Sequence, residues 1–154
     1  MYKFIFVALS LILFGCSSTP PSDSPTEAFQ DYLNAGKFHL EHQQFTQAEK
    51  YFNLSLSESQ TVDNLYGQAV SFLSLTQVMQ NTGNDKLAVL YFNQASEIIP
   101  MISKEQPGVS KYYLNLLYGQ YYEILADFNM QQGDKAKALE NLKLSEKYYS
   151  KSLQ

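Results

Sequence analysis

The chain is predicted to fold as an all-α stack of helix hairpins, and three observations carry that prediction. The stretch Gly133-Asp134-Lys135-Ala136-Lys137-Ala138-Leu139-Glu140-Asn141-Leu142 sets a glycine that can end one helix beside an aspartate that can cap the next. The same corner occurs twice upstream without a gap, as Gly83-Asn84-Asp85-Lys86-Leu87-Ala88-Val89-Leu90-Tyr91-Phe92 and Gln43-Gln44-Phe45-Thr46-Gln47-Ala48-Glu49-Lys50-Tyr51-Phe52. Between the corners, apolar residues keep three- and four-residue spacings. Three copies of one corner describe a stacked helical repeat, an architecture whose usual work is to hold another protein.

Composition narrows the classes. The 154 residues leave room for one domain after the front end is discounted, and an apolar fraction of 45% is that of a globular chain rather than a disordered one. The formal charge is −4, or −5 once Lys3 leaves with the leader described next, and every basic residue is a lysine. These lysines are interspersed with carboxylates, which argues against nucleic acid, whose phosphates draw on basic clusters. A single cysteine, Cys16, permits neither an internal disulfide nor a thiolate metal cluster.

Met1-Tyr2-Lys3 followed by Phe4 to Phe14, apolar except for Ser10, has the charged start and short apolar core of a secretory leader. A membrane span needs about 20 apolar residues, and this run stops after roughly half that number. Leu13-Phe14-Gly15-Cys16 resembles the lipobox of bacterial lipoproteins. The resemblance implies cleavage after Gly15, lipid on Cys16 as the only attached group, and a membrane anchor. Several acyl chains on one residue hold firmly, at about 0.8 kcal/mol per buried CH₂. In that family an aspartate after the cysteine favours the inner membrane. Ser17 stands there instead, which implies the periplasmic face of the outer membrane. Residues 16–24 then form the lipidated cysteine and a polar, proline-containing tether. The eight residues from Ser17 span at most about 28 Å, so the domain of residues 25–154 is expected close to the membrane surface.

The domain opens at Ser24-Pro25-Thr26-Glu27, which reads as N-cap, N1 proline and capping-box glutamate. The spacing predicts a first helix to about His42 and a second opened by a Thr46–Glu49 capping box and running through Leu56. A third helix is predicted from Thr61 or Asp63 to the turn at Gly83-Asn84, and a fourth that stops at Pro100. Residues 103–108 form the longest break. A fifth helix from about Pro107 to Gln131 and a sixth to about Ser152 complete the chain.

With the corners aligned, the chain resembles the tetratricopeptide repeat, in which helix A carries an aromatic and then small residues, and helix B carries alanine, aromatic, alanine. Those places hold Tyr32, Ala35, Gly36, His39, Ala48, Phe52 and Ser55 in the first copy. The second has Phe72, Leu75, Thr76, Met79, Ala88, Phe92, Ala95 and Pro100, and the third Tyr122, Leu125, Ala126, Asn129, Ala138, Leu142 and Ser145. The resemblance implies an α-solenoid of about three hairpins and six main helices, with an irregular helical bundle as the alternative. Alanines 48, 88 and 138 lie 40 and 50 residues apart, where the family's period is about 34. The extra residues before helix A of copies two and three lengthen helices or sit in the connections.

The same resemblance assigns an inner, partner-binding face. It maps onto Leu33, Lys37, Leu40 and Glu41 in the first copy, Val70, Leu73, Gln77 and Gln80 in the second, and Gln120, Glu123, Asp127 and Met130 in the third. This stripe is apolar at one end and acidic at the other, which suits an extended or helical segment with an apolar anchor and a basic end. Part of it alternatively packs against the lengthened helices. Glu123 and Asp127 read as a wet acidic face rather than catalytic carboxylates, because like charges four apart repel. His39 falls at a packing position, which favours a hydrogen-bonded histidine over a metal site shared with His42, whose place at the helix end suits a cation. The sequence holds no Ser–His–Asp arrangement, phosphate loop or HExxH, so no enzyme is predicted. Adjacent tyrosines point about 100° apart on a helix, so Tyr148-Tyr149 at the open end of the stack are candidates for self-association. The expectation is a lipid-anchored scaffold or assembly factor for another envelope protein. By similarity to anchored repeat proteins, one form of it is a pilotin for the secretin of a pilus or secretion system. A structural, self-associating envelope lipoprotein with no client is the rival.

Overall fold

The computed structural model describes residues 25–154, and the leader, Cys16, the tether and the Ser24 cap lie outside them. Six helices follow in order: α1 Pro25–Glu41, α2 Phe45–Thr61, α3 Leu65–Asn81, α4 Asp85–Glu105, α5 Lys111–Gln131 and α6 Lys135–Ser152. They pair as three antiparallel hairpins, α1–α2, α3–α4 and α5–α6, and α3 also packs against α2, α1 and α5. Among the described residues, no helix is long and apolar enough to cross a membrane.

The corners are where the pattern placed them, and each turns through one left-handed residue. Gly83 and Gly133 have φ of 72° and 80°, the conformation in which a side chain is strained. Gln43 adopts the same conformation at 57° in the first corner, and Asp63 at 51° between α2 and α3. Asp134 caps α6 by accepting from Lys137 N, and Asn64 caps α3 by accepting from Gly67 N. Thr46 does not open α2 as expected. The helix begins two residues earlier than a Thr46 cap would place it, with Gln44 at the cap position and no side-chain cap bond.

Helix length accounts for the spacing of 40, because α1, α2 and α3 each hold 17 residues and are joined by three-residue turns. The spacing of 50 arises because α4 and α5 are longer, at 21 residues each, and five residues rather than three connect them. Pro100 does not end α4, which runs a further turn to Glu105. An interior proline costs about 3 kcal/mol through its missing N–H and its ring. Against that, Ile99 and Ile102 on the last turns are buried, each contributing about 1.5–3 kcal/mol. Gln106, just past the helix, ties the end of α4 to the start of α3. Its amide donates to Asp63 O at 2.7 Å, and its side-chain oxygen accepts from Tyr66 N. The fifth helix starts at Lys111 rather than Pro107, because Ser110 caps it by accepting from Tyr113 N.

The core runs along α3, which is buried around its circumference from Ala69 to Thr76. Phe52, Leu73, Leu75, Ile102, Leu117 and Ile124 fill the space around it. The third hairpin is held differently. Every Cα of α5 stays more than 8 Å from those of α4, and the gap is bridged by Phe92, whose ring stacks on Tyr121 at 5.0 Å and meets Phe128 edge-on at 5.2 Å.

Relieving the left-handed strain removes about 1–2 kcal/mol, while glycine's freedom in the unfolded chain returns about 0.5–1. Gln43→Gly is therefore expected to raise stability by about 0.5–1 kcal/mol, and Gly133→Ala to lower it by about 0.5–1, read as opposite shifts of the urea midpoint.

Candidate functional site

The A helices line a groove, α1 and α3 along their last turns and α5 from Leu116 to Gln131, with α3 as floor and the other two as walls. Register explains which side chains reach it. Lys37, Gln77 and Asp127 occupy equivalent places in the three helices, as do Leu40, Gln80 and Met130, and all six border the groove. One recess of about 400 Å³ is bounded by Leu40, Gln77, Gln80, Asn81, Asp127, Met130 and Gln131. A neighbouring recess of about 260 Å³ takes in Lys37, Glu41, Leu116, Gln120 and Tyr149.

Three residues assigned to this face are core instead. Leu33, Val70 and Leu73 are 1%, 3% and 0% exposed and belong to the central apolar cluster. The N-terminal halves of the A helices close over them, so the apolar end foreseen for the groove is absent. What remains apolar is half-buried Leu40, Leu116 and exposed Met130. Glu123 is half-buried and already engaged, accepting from the Tyr149 hydroxyl at 2.8 Å. Asn81 and Gln131 were missed, although both are register partners of Glu41 and the same offsets would have found them.

The lining is rich in carboxamides. Gln120 Nε2 donates to Gln77 Oε1 at 3.2 Å, linking wall to floor. The side-chain nitrogen of Gln80 is buried with no partner, the one such polar atom among the described side chains. The charged groups at the rim are modified by the same partial desolvation. It lowers Lys37 below the ordinary lysine value, with Glu41 opposing. It also raises the Asp127 carboxyl, and Glu123 adds to that rise. Lys37 with Glu41 therefore marks one wall, and Glu123 with Asp127 the other.

Tyr148 and Tyr149, candidates for self-association, are both used inside the last hairpin. Tyr148 stacks on Tyr118 and Tyr122 at 5.1 and 5.5 Å. Tyr149 lies over Gly119, where an added Cβ would come within 2.5 Å of the ring. They face inward because α5 presents Tyr118 and Tyr122 beside a glycine-sized gap, and the rings fill it. His39 is half-buried, hydrogen-bonded to Gln44 and stacked on Tyr51 at 5.1 Å, while His42 bonds Phe38 O. Each histidine thus has its own partner.

Comparison with protein-family models, with curated proteins and with solved structures returns no match. The reading of function therefore rests on the groove and on the sequence before it.

Burial and the hydrogen bond to Glu123 push the Tyr149 hydroxyl above the ordinary tyrosine value. An acid raised in the folded state holds its stabilising effect below its unfolded pKa, about 10, and loses it as pH rises toward the folded value. Tyr149→Phe should cost about 1 kcal/mol at neutral pH through the lost hydrogen bond and should flatten the fall of thermal midpoint above pH 10. A variant with an unchanged alkaline slope would show that another group governs it.

Proposed function

We propose that this protein is a membrane-anchored scaffold or assembly factor of the bacterial envelope, built as a tetratricopeptide-like solenoid and binding a segment of another envelope protein in the α1/α3/α5 groove. The single observation that carries the reading is the groove itself, where equivalent places on three successive helices gather into one lined channel. The leader, the Leu13–Cys16 lipobox and Ser17 support lipid on Cys16 and the periplasmic face of the outer membrane. The proposal is of a binding protein and not of an enzyme.

The lining favours an extended segment over a helix. A carboxamide offers a donor and an acceptor at one tip, which matches the paired N–H and C=O of an exposed peptide unit. A helix has already spent those groups internally. Gln77, Gln80, Asn81, Gln120 and Gln131 place five carboxamides along one channel, of which Gln120 Nε2 is already spent on Gln77 Oε1 and Asn81 Nδ2 on Gln77 O. Leu40 and Met130 offer a small apolar contact, and Asp127 with Glu41 would take a basic side chain at the rim. As a narrower form of the proposal, the client is the secretin of a pilus or secretion system and this chain its pilotin. Depletion should then leave the secretin unassembled or in the wrong membrane, and unchanged assembly would remove that form.

Two outcomes test the groove reading. Gln77→Lys with Asp127→Lys, both on accessible positions, should reduce client co-purification from envelopes at least about tenfold while thermal unfolding stays within the range of ordinary surface changes, about 0.5 kcal/mol. Substitution of Leu33 or Leu73 tests folding instead, since both are core. Client capture should also fail on acidification, as Asp127 takes up its proton. Because that carboxyl is raised, the loss begins at higher pH than for an ordinary aspartate, and Asp127→Asn should remove the step.

A further inference from the structure

The hairpins repeat at fixed register, and the register shows that the stack has an unfilled seat at one end and an unused knob at the other. Phe52, Phe92 and Leu142 are equivalent residues of α2, α4 and α6. Phe52 is fully buried, and Phe92 is covered by Tyr121 and Phe128 of the hairpin that follows it. Among the described residues no further hairpin packs on Leu142, and it is 46% exposed. The A helices show the complementary gap. Phe38, Val78 and Phe128 are equivalent, and Val78 is fully buried while Phe128 reaches back onto Phe92. Among the described residues no hairpin packs on Phe38 from the front, and it is 55% exposed.

We propose that a second copy of this chain completes the stack, with Phe38 of one copy seated on Leu142 of the next as Phe128 is seated on Phe92 within the chain. Charge favours the same pairing. The described side chains of the first hairpin carry four carboxylates, Asp31, Glu41, Glu49 and Glu58, against two lysines. The third hairpin, with its Asp134 cap, carries six lysines against five carboxylates, and five of those lysines lie on α6. One of these, Lys137, is already paired with Asp134 at 2.9 Å. Acidic front and basic rear attract head to tail and repel front to front or rear to rear, which selects a heterologous contact over a two-fold dimer. Two apolar side chains make a modest contact, so the association depends on concentration and weakens with salt. The surface is separate from the groove and does not rest on it.

The test is disulfide trapping of the full chain in cells. Phe38→Cys and Leu142→Cys in one chain should give a ladder of linked species under mild oxidation. Each single variant should give no more linkage than the parent with its Cys16. A mixture of the two single variants should stop at the dimer, because one copy then offers only one end. Both positions are exposed, and helical circular dichroism checks that the variants remain folded. Adding Lys143→Glu and Lys147→Glu should weaken the ladder several-fold. Equal dimers from a single variant alone would overturn the proposal in favour of a two-fold contact. A folded double variant that gives no ladder would also overturn it. So would retention of the parent chain on vesicles of anionic lipid, lost on Lys143→Glu and Lys147→Glu, if it accompanied that missing ladder, since the lysines would then serve a lipid surface.

Discussion

The structure depends on how closely α2 and α3 approach each other, and small hydroxyl residues make that approach possible. Ser55 donates to Phe29 O of α1 at 2.9 Å and lies at 2.9 Å from Ser71 of α3, so one buried hydroxyl on α2 joins three helices. Ser59 turns its proton to its own helix at Ser55 O, and Ser74 and Thr76 do the same at Val70 O and Phe72 O. A buried polar group without a partner costs about 1–3 kcal/mol, so these back-bonds are what let hydroxyls stand where methyl groups would otherwise be. At Gly67 there is no space for even one more carbon, because an added Cβ would collide with the Ser59 hydroxyl and press on Phe29. Leucines at these places would hold the helices several ångströms further apart and expose the central helix.

From that tight seam the construction loosens toward the C-terminus. The first two hairpins pack backbone to backbone, whereas the third meets α3 but stands off α4 on a wedge of Phe92, Tyr121 and Phe128. With α5 set against α3 and apart from α4, it forms the second wall of the groove beside Gln77 and Gln80. The tyrosines of α5 belong to the same arrangement. Tyr121 faces the wedge, while Tyr118 and Tyr122 hold Tyr148 and keep α6 in place, with Lys151 over the Tyr148 ring at 5.5 Å. Aromatic pairs of this kind contribute about 0.5–1.5 kcal/mol each beyond area burial, so the last hairpin is held by orientation as well as by burial.

Local chemistry was legible in the sequence and long-range packing was not. Gly83, Gly133 and Asp134 announce their corners because their roles depend on neighbours within four residues. The extension past Pro100 was illegible for the opposite reason. It depends on Ile102 entering the core and on Gln106 reaching Asp63 and Tyr66, some 40 residues away. The groove divides in the same way. The positions of Lys37, Gln77 and Asp127 follow from register alone. The burial of Leu33 and Leu73 follows from how far the A helices close on one another, which no spacing encodes. Tyr121 and Tyr122 point apart as their spacing requires, whereas Tyr148 and Tyr149 both turn toward α5, an arrangement set by the gap at Gly119.

The central claim is that the face of Gln77 and Gln120 holds an extended segment of one envelope protein. The most direct measurement places a photo-crosslinking residue at Gln77, at Gln120 and, as the control, at exposed Asn93 on α4, in the full chain within intact envelopes. The account predicts that the two groove positions link to neighbouring residues of one stretch in a single protein, and that Asn93 does not. Folded variants that link to nothing from the groove, or to the same proteins from all three positions, would contradict it.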